Sequence, residues 1–411
     1  MHTTEAAHVV TSNRNSLHWQ SVFQFCLSVV AIMILWGISL ISALAGFIEM
    51  IQSPAVGFGA MQFSLLSAGA FFIGALVVPS AVFAMERLLN RRIVPFAFNW
   101  NTLRPTRLIF ALPFIYIVGY LITKYTELAW LLLPPIHILA IGLPIAWLTY
   151  IGLRNLPKGT PQRFWGVFEA GMLLAPLLIF ALEFAVIVII ALGGVMVLAS
   201  NPDALAELTT LVDSFEYAAQ SPEVFVELLE PYLFKPATLY IIFTFVAIIV
   251  PLLEELIKPI GVWLLFGHKL SPAAGYSAGL LSGAGFALVE SLGMSVNSQE
   301  WGVVVAARIG TGAIHILTAG LMGWGLASSW RDRRYSRLPL IYLLAVGIHG
   351  LWNGLTLLYM ATEFSELQTI GFSDTIWNAL GNITPVLLVL LAIGAFFSLL
   401  WINKTLRERY A

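Results

Sequence analysis

Long apolar runs broken by short polar or charged connectors recur along the whole chain. Runs of about twenty residues or more fall at roughly 21–47, 60–85, 106–122, 130–153, 165–199, 237–266, 272–296, 302–328, 338–360 and 375–402, and about 20 apolar residues carry a helix across a ~30 Å hydrocarbon core. The pattern predicts an all-α polytopic membrane protein with about ten transmembrane helices. The fifth run is long and interrupted by Glu169, Pro176 and Glu183, which predicts a tilted helix or an interfacial segment leading into a span. The first run is too long for a signal-peptide core and no basic n-region precedes it, so no cleaved signal is expected.

The connectors alternate in charge. Arg87, Arg91, Arg92, Arg104 and Arg107 follow the second run, Arg154, Lys158 and Arg163 the fourth, and Lys269 the sixth; Arg331, Arg333, Arg334 and Arg337 follow the eighth, and Lys404, Arg407 and Arg409 close the chain. Lys and Arg mark cytoplasmic connectors, so the expectation is a multi-pass protein of the plasma membrane with both termini inside. Five parts follow: a cytoplasmic tail at 1–20, five spans over 21–200, an external connector at 201–236, a membrane bundle at 237–360, and a last connector, tenth span and short basic tail at 361–411. The 201–236 connector is acidic, with Asp203, Glu207, Asp213, Glu216, Glu223, Glu227 and Glu230 against Lys235. Leu205, Leu208, Leu211 and Val212 recur in it at helical spacing, predicting short amphipathic helices over the outer face.

Composition agrees with a chain whose solvent is lipid: 59% of residues are hydrophobic, 10% are charged, and the mean hydropathy is +0.87. A balance of 21 Lys and Arg against 22 Asp and Glu gives no basic field, which argues against a nucleic-acid partner. Cys26 is the single cysteine, so no intramolecular disulfide or cysteine-pair redox centre can form. Trp19, Trp130, Trp301, Trp330 and Trp401 lie near the ends of runs and read as interfacial anchors.

Against this apolar background, runs six to nine hold ionisable residues that cost about 2.5–3.5 kcal/mol each at mid-bilayer and therefore need a partner or a task. The sixth contains Glu254, Glu255 and Lys258, at the i,i+3 and i,i+4 spacings where helical side chains meet, so one carboxylate can be neutralised while the other points elsewhere. In the seventh, Gly275, Gly279 and Gly283 form a small-residue seam that leads through Phe286 to Glu290 and presses that carboxylate toward a neighbouring helix. The eighth presents Arg308, Thr311, His315 and Thr318 on roughly one stripe, and the ninth carries His349 and Asn353 four residues apart. A carboxylate to deprotonate water and donors for a developing oxyanion are what amide hydrolysis requires. By contrast, His137, Glu169 and Glu183 read as structural pairs or water-facing positions.

In order and placement, Glu254-Glu255-x-x-Lys258, Phe286-x-x-x-Glu290, His315 and His349-x-x-x-Asn353 resemble the motifs of the PrsW family of intramembrane proteases. More distantly they resemble the CAAX-protease and bacteriocin-processing superfamily, where a histidine stands at the position of Glu290. The resemblance covers about 245–360 and leaves the first five spans and the acidic connector outside it. It implies an intramembrane endopeptidase acting on membrane-anchored protein or peptide substrates. Glu254 or Glu255, with Glu254 preferred, would activate water, Lys258 would fix the pair and Glu290 would position the water. His349 and Asn353 would form the oxyanion hole, and His315 would support them.

Two chemistries fit this set: glutamate catalysis with no cofactor, and zinc held by Glu254, Glu290, His315 and His349, although no His-Glu-x-x-His signature is present. The same acids and histidines also suit a proton- or ion-coupled transporter or a non-catalytic membrane scaffold. The absence of a matching polar set in the first five runs argues against an inverted-repeat carrier.

Overall fold

The computed structural model describes residues 18–52, 58–90, 105–125, 127–200, 234–294, 300–333, 335–363 and 373–410, together with positions 206, 209, 214 and 232. Among the described residues there are helices and turns and no strands. Among the described residues ten helices of more than ten residues form: α1 (Trp19–Gln52), α2 (Phe58–Leu89), α3 (Leu112–Tyr125), α4 (Ala129–Gly152), α5 (Pro161–Val197), α6 (Pro236–Trp263), α7 (Pro272–Gly293), α8 (Trp301–Asp332), α9 (Leu338–Thr362) and α10 (Asp374–Tyr410). Each coincides with one of the ten apolar runs, as expected where lipid offers the backbone no hydrogen bonds and the chain must satisfy them internally.

Among the described residues, eight helices are long and apolar enough to cross a membrane. The other two are α3, which forms a shorter apolar helix of Ile109–Tyr125 with the 3₁₀ turn before it, and the glycine- and serine-rich α7. The fold is thus all-helical and polytopic with eight candidate crossings, and the tail at 1–17 and most of the acidic 201–236 connector lie outside the described residues.

The fifth run is one helix, with a π turn at Ala170–Leu174. A second π turn, Phe245–Ile249, interrupts α6. Each ends two residues before a proline, Pro176 and Pro251. A proline lacks an N–H and crowds the carbonyl four residues back, and widening the preceding turn relieves both.

The protein is built around α7, which is buried along almost its whole length and pairs closely with α8. The glycine seam makes this approach: a Cβ at Gly283 would stand 2.6 Å from the His315 carbonyl, and one at Gly279 would collide with the carbonyl of Ala319. Between membrane helices, where lipid is as apolar as the side chains, such close packing is the main attraction available. Helices α4 and α5 close one side of this pair, while α6 and α9 pack together near its middle.

Trp301 departs from the reading as an interfacial anchor. It is fully buried at the start of α8, its ring fills the space over Gly119 of α3, and its indole N–H donates to His137 Nδ1 of α4 at 3.1 Å. The buried imidazole supplies what a buried indole requires, an acceptor for its N–H. Trp19 and Trp401 remain largely exposed.

Candidate active site

Helix α6 loses its regular hydrogen bonding at Lys258-Pro259, and the break shapes the site. Val262 N–H bonds to the Pro259 carbonyl, three residues back, in place of the Lys258 carbonyl, four residues back, that an α-helix would use. The Lys258 carbonyl instead accepts from the Ser282 hydroxyl of α7 at 2.5 Å, and the same hydroxyl oxygen accepts from Gly261 N–H at 3.3 Å. One serine therefore anchors both strands of the break and fixes the backbone from which Lys258 projects.

The Lys258 ammonium is fully buried, and four side chains from three helices converge on it. Nζ lies 2.9 Å from Glu254 Oε2 and 2.7 Å from Glu255 Oε1, on its own helix. It lies 2.6 Å from His315 Nδ1 of α8 and 3.2 Å from His349 Nδ1 of α9. His349 Nδ1 is also 2.9 Å from Glu255 Oε1. The imidazoles meet edge to face with centroids 4.9 Å apart, and Phe286 closes one side, 5.2 Å from the His315 ring and 5.0 Å from the ammonium.

Glu290 joins from α7 on the far side of His315, with Oε2 2.6 Å from Nε2 and 2.9 Å from Arg308 Nη2. Since His315 Nδ1 accepts from the ammonium, Nε2 carries the proton and donates it to Glu290, which sets the tautomer. Arg308 is held in turn by Ser291, to which its Nε donates at 3.0 Å. About a third of the Glu290 side chain is exposed, whereas Glu255 is wholly enclosed.

Asn353 takes a different position. Its amide donates to the Val246 carbonyl at 3.1 Å, inside the π turn of α6. In that turn Val250 N–H bonds to Phe245, and the next nitrogen in register belongs to Pro251, so the Val246 carbonyl has no backbone donor left. Asn353 thus holds the approach to the Glu254-Glu255 turn, and its contact is with backbone rather than with the carboxylates.

Of the expected set, the structure brings Glu254, Glu255, Lys258, Glu290, His315 and His349 into one contiguous cluster, whereas Asn353 of α9 bonds to Val246, about two turns before Glu254 on α6. Arg308 and Ser282 enter as residues that only tertiary structure assigns: the first was visible as a charge on the polar stripe of α8, while a serine among the glycines of α7 gave no signal. Glu169 lies elsewhere, its carboxylate bonded by the hydroxyls of Ser28 and Ser80.

A metal has a recognisable seat. Donor atoms of Glu254, His315 and His349 lie within 4.8 Å of one another, and all three residues are buried. A carboxylate with two imidazoles is a zinc-type set, and the Glu290 carboxylate behind His315 is the kind of outer partner that orients a metal-binding imidazole. Glu290 faces His315 and Arg308 and is not one of the three.

Helices and cluster together define a polytopic membrane protein with a buried group of carboxylates, cations and imidazoles between its helices. A PrsW family intramembrane metalloprotease model matches residues 165–402, more than half of the chain, and the protein belongs to that family. The match begins in α5 and runs into α10, so the fifth helix, outside the 245–360 motif region, is part of the family fold. No curated protein and no solved structure matches the chain.

Proposed function

We propose that the protein hydrolyses peptide bonds of membrane-tethered proteins or peptides at the cluster centred on Lys258. The observation that carries this reading is the convergence of Glu254, Glu255, His315 and His349 on one buried cation within 3.2 Å, in a chain of the PrsW family. Glu254, the less enclosed of the paired glutamates, accepts the proton of the attacking water. Glu255 is the counter-ion that keeps Lys258 in place. Lys258 provides the positive charge, and His349 an N–H group, toward which the oxyanion develops, in a site dry enough for these interactions to be strong.

Glu290, with Arg308 behind it, orients His315 and lies on the side from which water and substrate enter. Asn353 acts through α6, holding the turn that carries both glutamates, in place of the oxyanion-hole role implied by resemblance. Were a zinc-type ion held by Glu254, His315 and His349, Glu254 would serve as its ligand in place of the base, and the ion would supply Lewis-acid polarisation of the scissile carbonyl and acidify the attacking water. The alternation of basic connectors favours a cytoplasmic-membrane location with both termini inside.

The reading is tested by co-expressing tagged single-span substrates with wild type, Glu254→Gln and His349→Ala, and following the tag by immunoblot. Cleavage by wild type and loss in both variants is expected. Equal processing in all three would remove the catalytic assignment.

A further inference from the structure

The point occupied by the Lys258 nitrogen has an unusual property for an ammonium. Four polar atoms, Glu254 Oε2, Glu255 Oε1, His315 Nδ1 and His349 Nδ1, lie 2.6 to 3.2 Å from it. An ammonium has three hydrogens, so at most three of the four take one, and the buried Glu254 Oε2 is left without a hydrogen bond. Two carboxylate oxygens and two imidazole nitrogens converging on one point are instead the number and kind of donors that a tetrahedral divalent ion takes. Three of these four residues are the same that bring donor atoms within 4.8 Å of one another.

Two further features make the position exchangeable. The cluster holds three carboxylates, Glu254, Glu255 and Glu290, against two permanent cations, Lys258 and Arg308, which leaves one negative charge in excess when the carboxylates are ionised. Further positive charge is therefore welcome there. Glu255 Oε2 is buried and has no hydrogen-bond partner among the described residues, while Oε1 of the same group already holds the ammonium. A shift across one carboxylate would keep the ammonium paired and never expose it to lipid. The four-carbon lysine stem allows that shift, and the Ser282 bond to the Lys258 carbonyl holds the backbone still while it happens.

We propose that Lys258 and a divalent metal ion are alternative occupants of one cation position: the ammonium holds it in the metal-free protein, and the ion takes Glu254, His315 and His349 while the ammonium retreats onto Glu255. The two adjacent glutamates then differ in kind, Glu254 as ligand and Glu255 as the seat of the displaced lysine. This regulates metal loading at the site proposed above and rests on that assignment of the cluster, but it is read by metal affinity and not by proteolysis.

The test uses the full-length protein purified in detergent and stripped with a chelator, with zinc affinity measured against a chromogenic chelator and cobalt substitution followed by visible absorption. Lys258→Met removes the competing charge at nearly constant volume, and its zinc affinity should exceed that of wild type by about tenfold or more. Glu255→Gln deprives the ammonium of its retreat and should weaken zinc binding, although Glu255 is not a ligand. The double variant Lys258→Met/Glu255→Gln decides the matter, because affinity should return to at least the wild-type level if Glu255 acts only through Lys258. Equal or weaker binding by Lys258→Met, with thermal melts showing a folded protein, would overturn the proposal. So would a double variant as weak as Glu255→Gln, which would make Glu255 a direct ligand. If Lys258→Met does not fold, Lys258→Gln takes its place in the same cycle. Wild type and variants that all cleave substrate and none of which bind metal would overturn the exchange and leave the protease reading intact.

Discussion

Two buried carboxylate centres occupy the membrane region, and their partners differ in kind. Glu169 of α5 is met by hydroxyls: Ser28 of α1 lies 2.7 and 2.9 Å from its two oxygens and Ser80 of α2 bonds the same group. Gln24 extends the network, donating to Ser80 at 2.8 Å and accepting from Gln162 at 3.2 Å. Glu169 also lines a cleft of about 1210 Å³ between the start of α1, the end of α2, the start of α5 and the end of α6. Glu254, Glu255 and Glu290 are met by an ammonium, a guanidinium and two imidazoles. Hydroxyls satisfy a carboxyl in either protonation state and tie three helices together, whereas cations and imidazoles make a group whose charge and ligands can change. Burial of an acid thus does not mark chemistry; the partners of the acid do.

The comparison breaks most severely on the isosteric pair Glu254→Gln and Glu169→Gln. Loss of a general base costs about 10²- to 10⁴-fold, so Glu254→Gln should lower substrate processing by that order while the protein melts as wild type. Glu169→Gln keeps an acceptor for the serines and should process substrate within a few-fold of wild type. An equal loss in both would show that the hydroxyl-bound carboxylate also serves the reaction. Next in size is Arg308→Gln, which leaves Glu290, a third of it exposed, beside only an imidazole. Stranding one partner of a fully buried ion pair costs about 3–5 kcal/mol and solvent at Glu290 reduces that, so a drop in the detergent melting temperature is expected, partly rescued by Arg308→Gln/Glu290→Gln. A double variant no more stable than the single would mean that the pair does not couple.

Much of this arrangement was legible along the chain, for identifiable reasons. Helix positions follow from hydropathy because lipid permits little else. The Glu254, Glu255 and Lys258 contacts follow from spacing within one helix, and the direction of Glu290 follows from the glycine seam before it. What escaped required a partner distant in sequence. Asn353 looked like a companion of His349 because the two share a face, yet its bond is to a carbonyl orphaned by Pro251, about a hundred residues earlier. Trp301 begins its helix and so resembled an anchor; only the space over Gly119 and the acceptor on His137 explain its burial. The number of crossings was less legible than the number of helices, since α7 trades apolar bulk for the glycines and serines that let α8 approach.

The smallest expected effects set the same chemical change in the two regions side by side. Ser28→Ala and Ser282→Ala each delete one buried hydroxyl, and each should cost about 1–3 kcal/mol of stability by leaving a polar group with one partner fewer. In the first region that group is Glu169, and the loss should stop there: lower resistance to thermal unfolding and unchanged processing. In the second it is the Lys258 carbonyl and Gly261 N–H at the break in α6, from which the central ammonium projects. Ser282→Ala should therefore slow processing several-fold at a temperature where the protein remains folded, and Ser282→Thr, which keeps the hydroxyl, should recover part of the rate. Measuring melting temperature and initial processing rate on the same preparations separates the cases. If the two alanine variants lose stability and activity in the same proportion, the region around Glu169 is coupled to the site and the division between clamp and reaction centre fails.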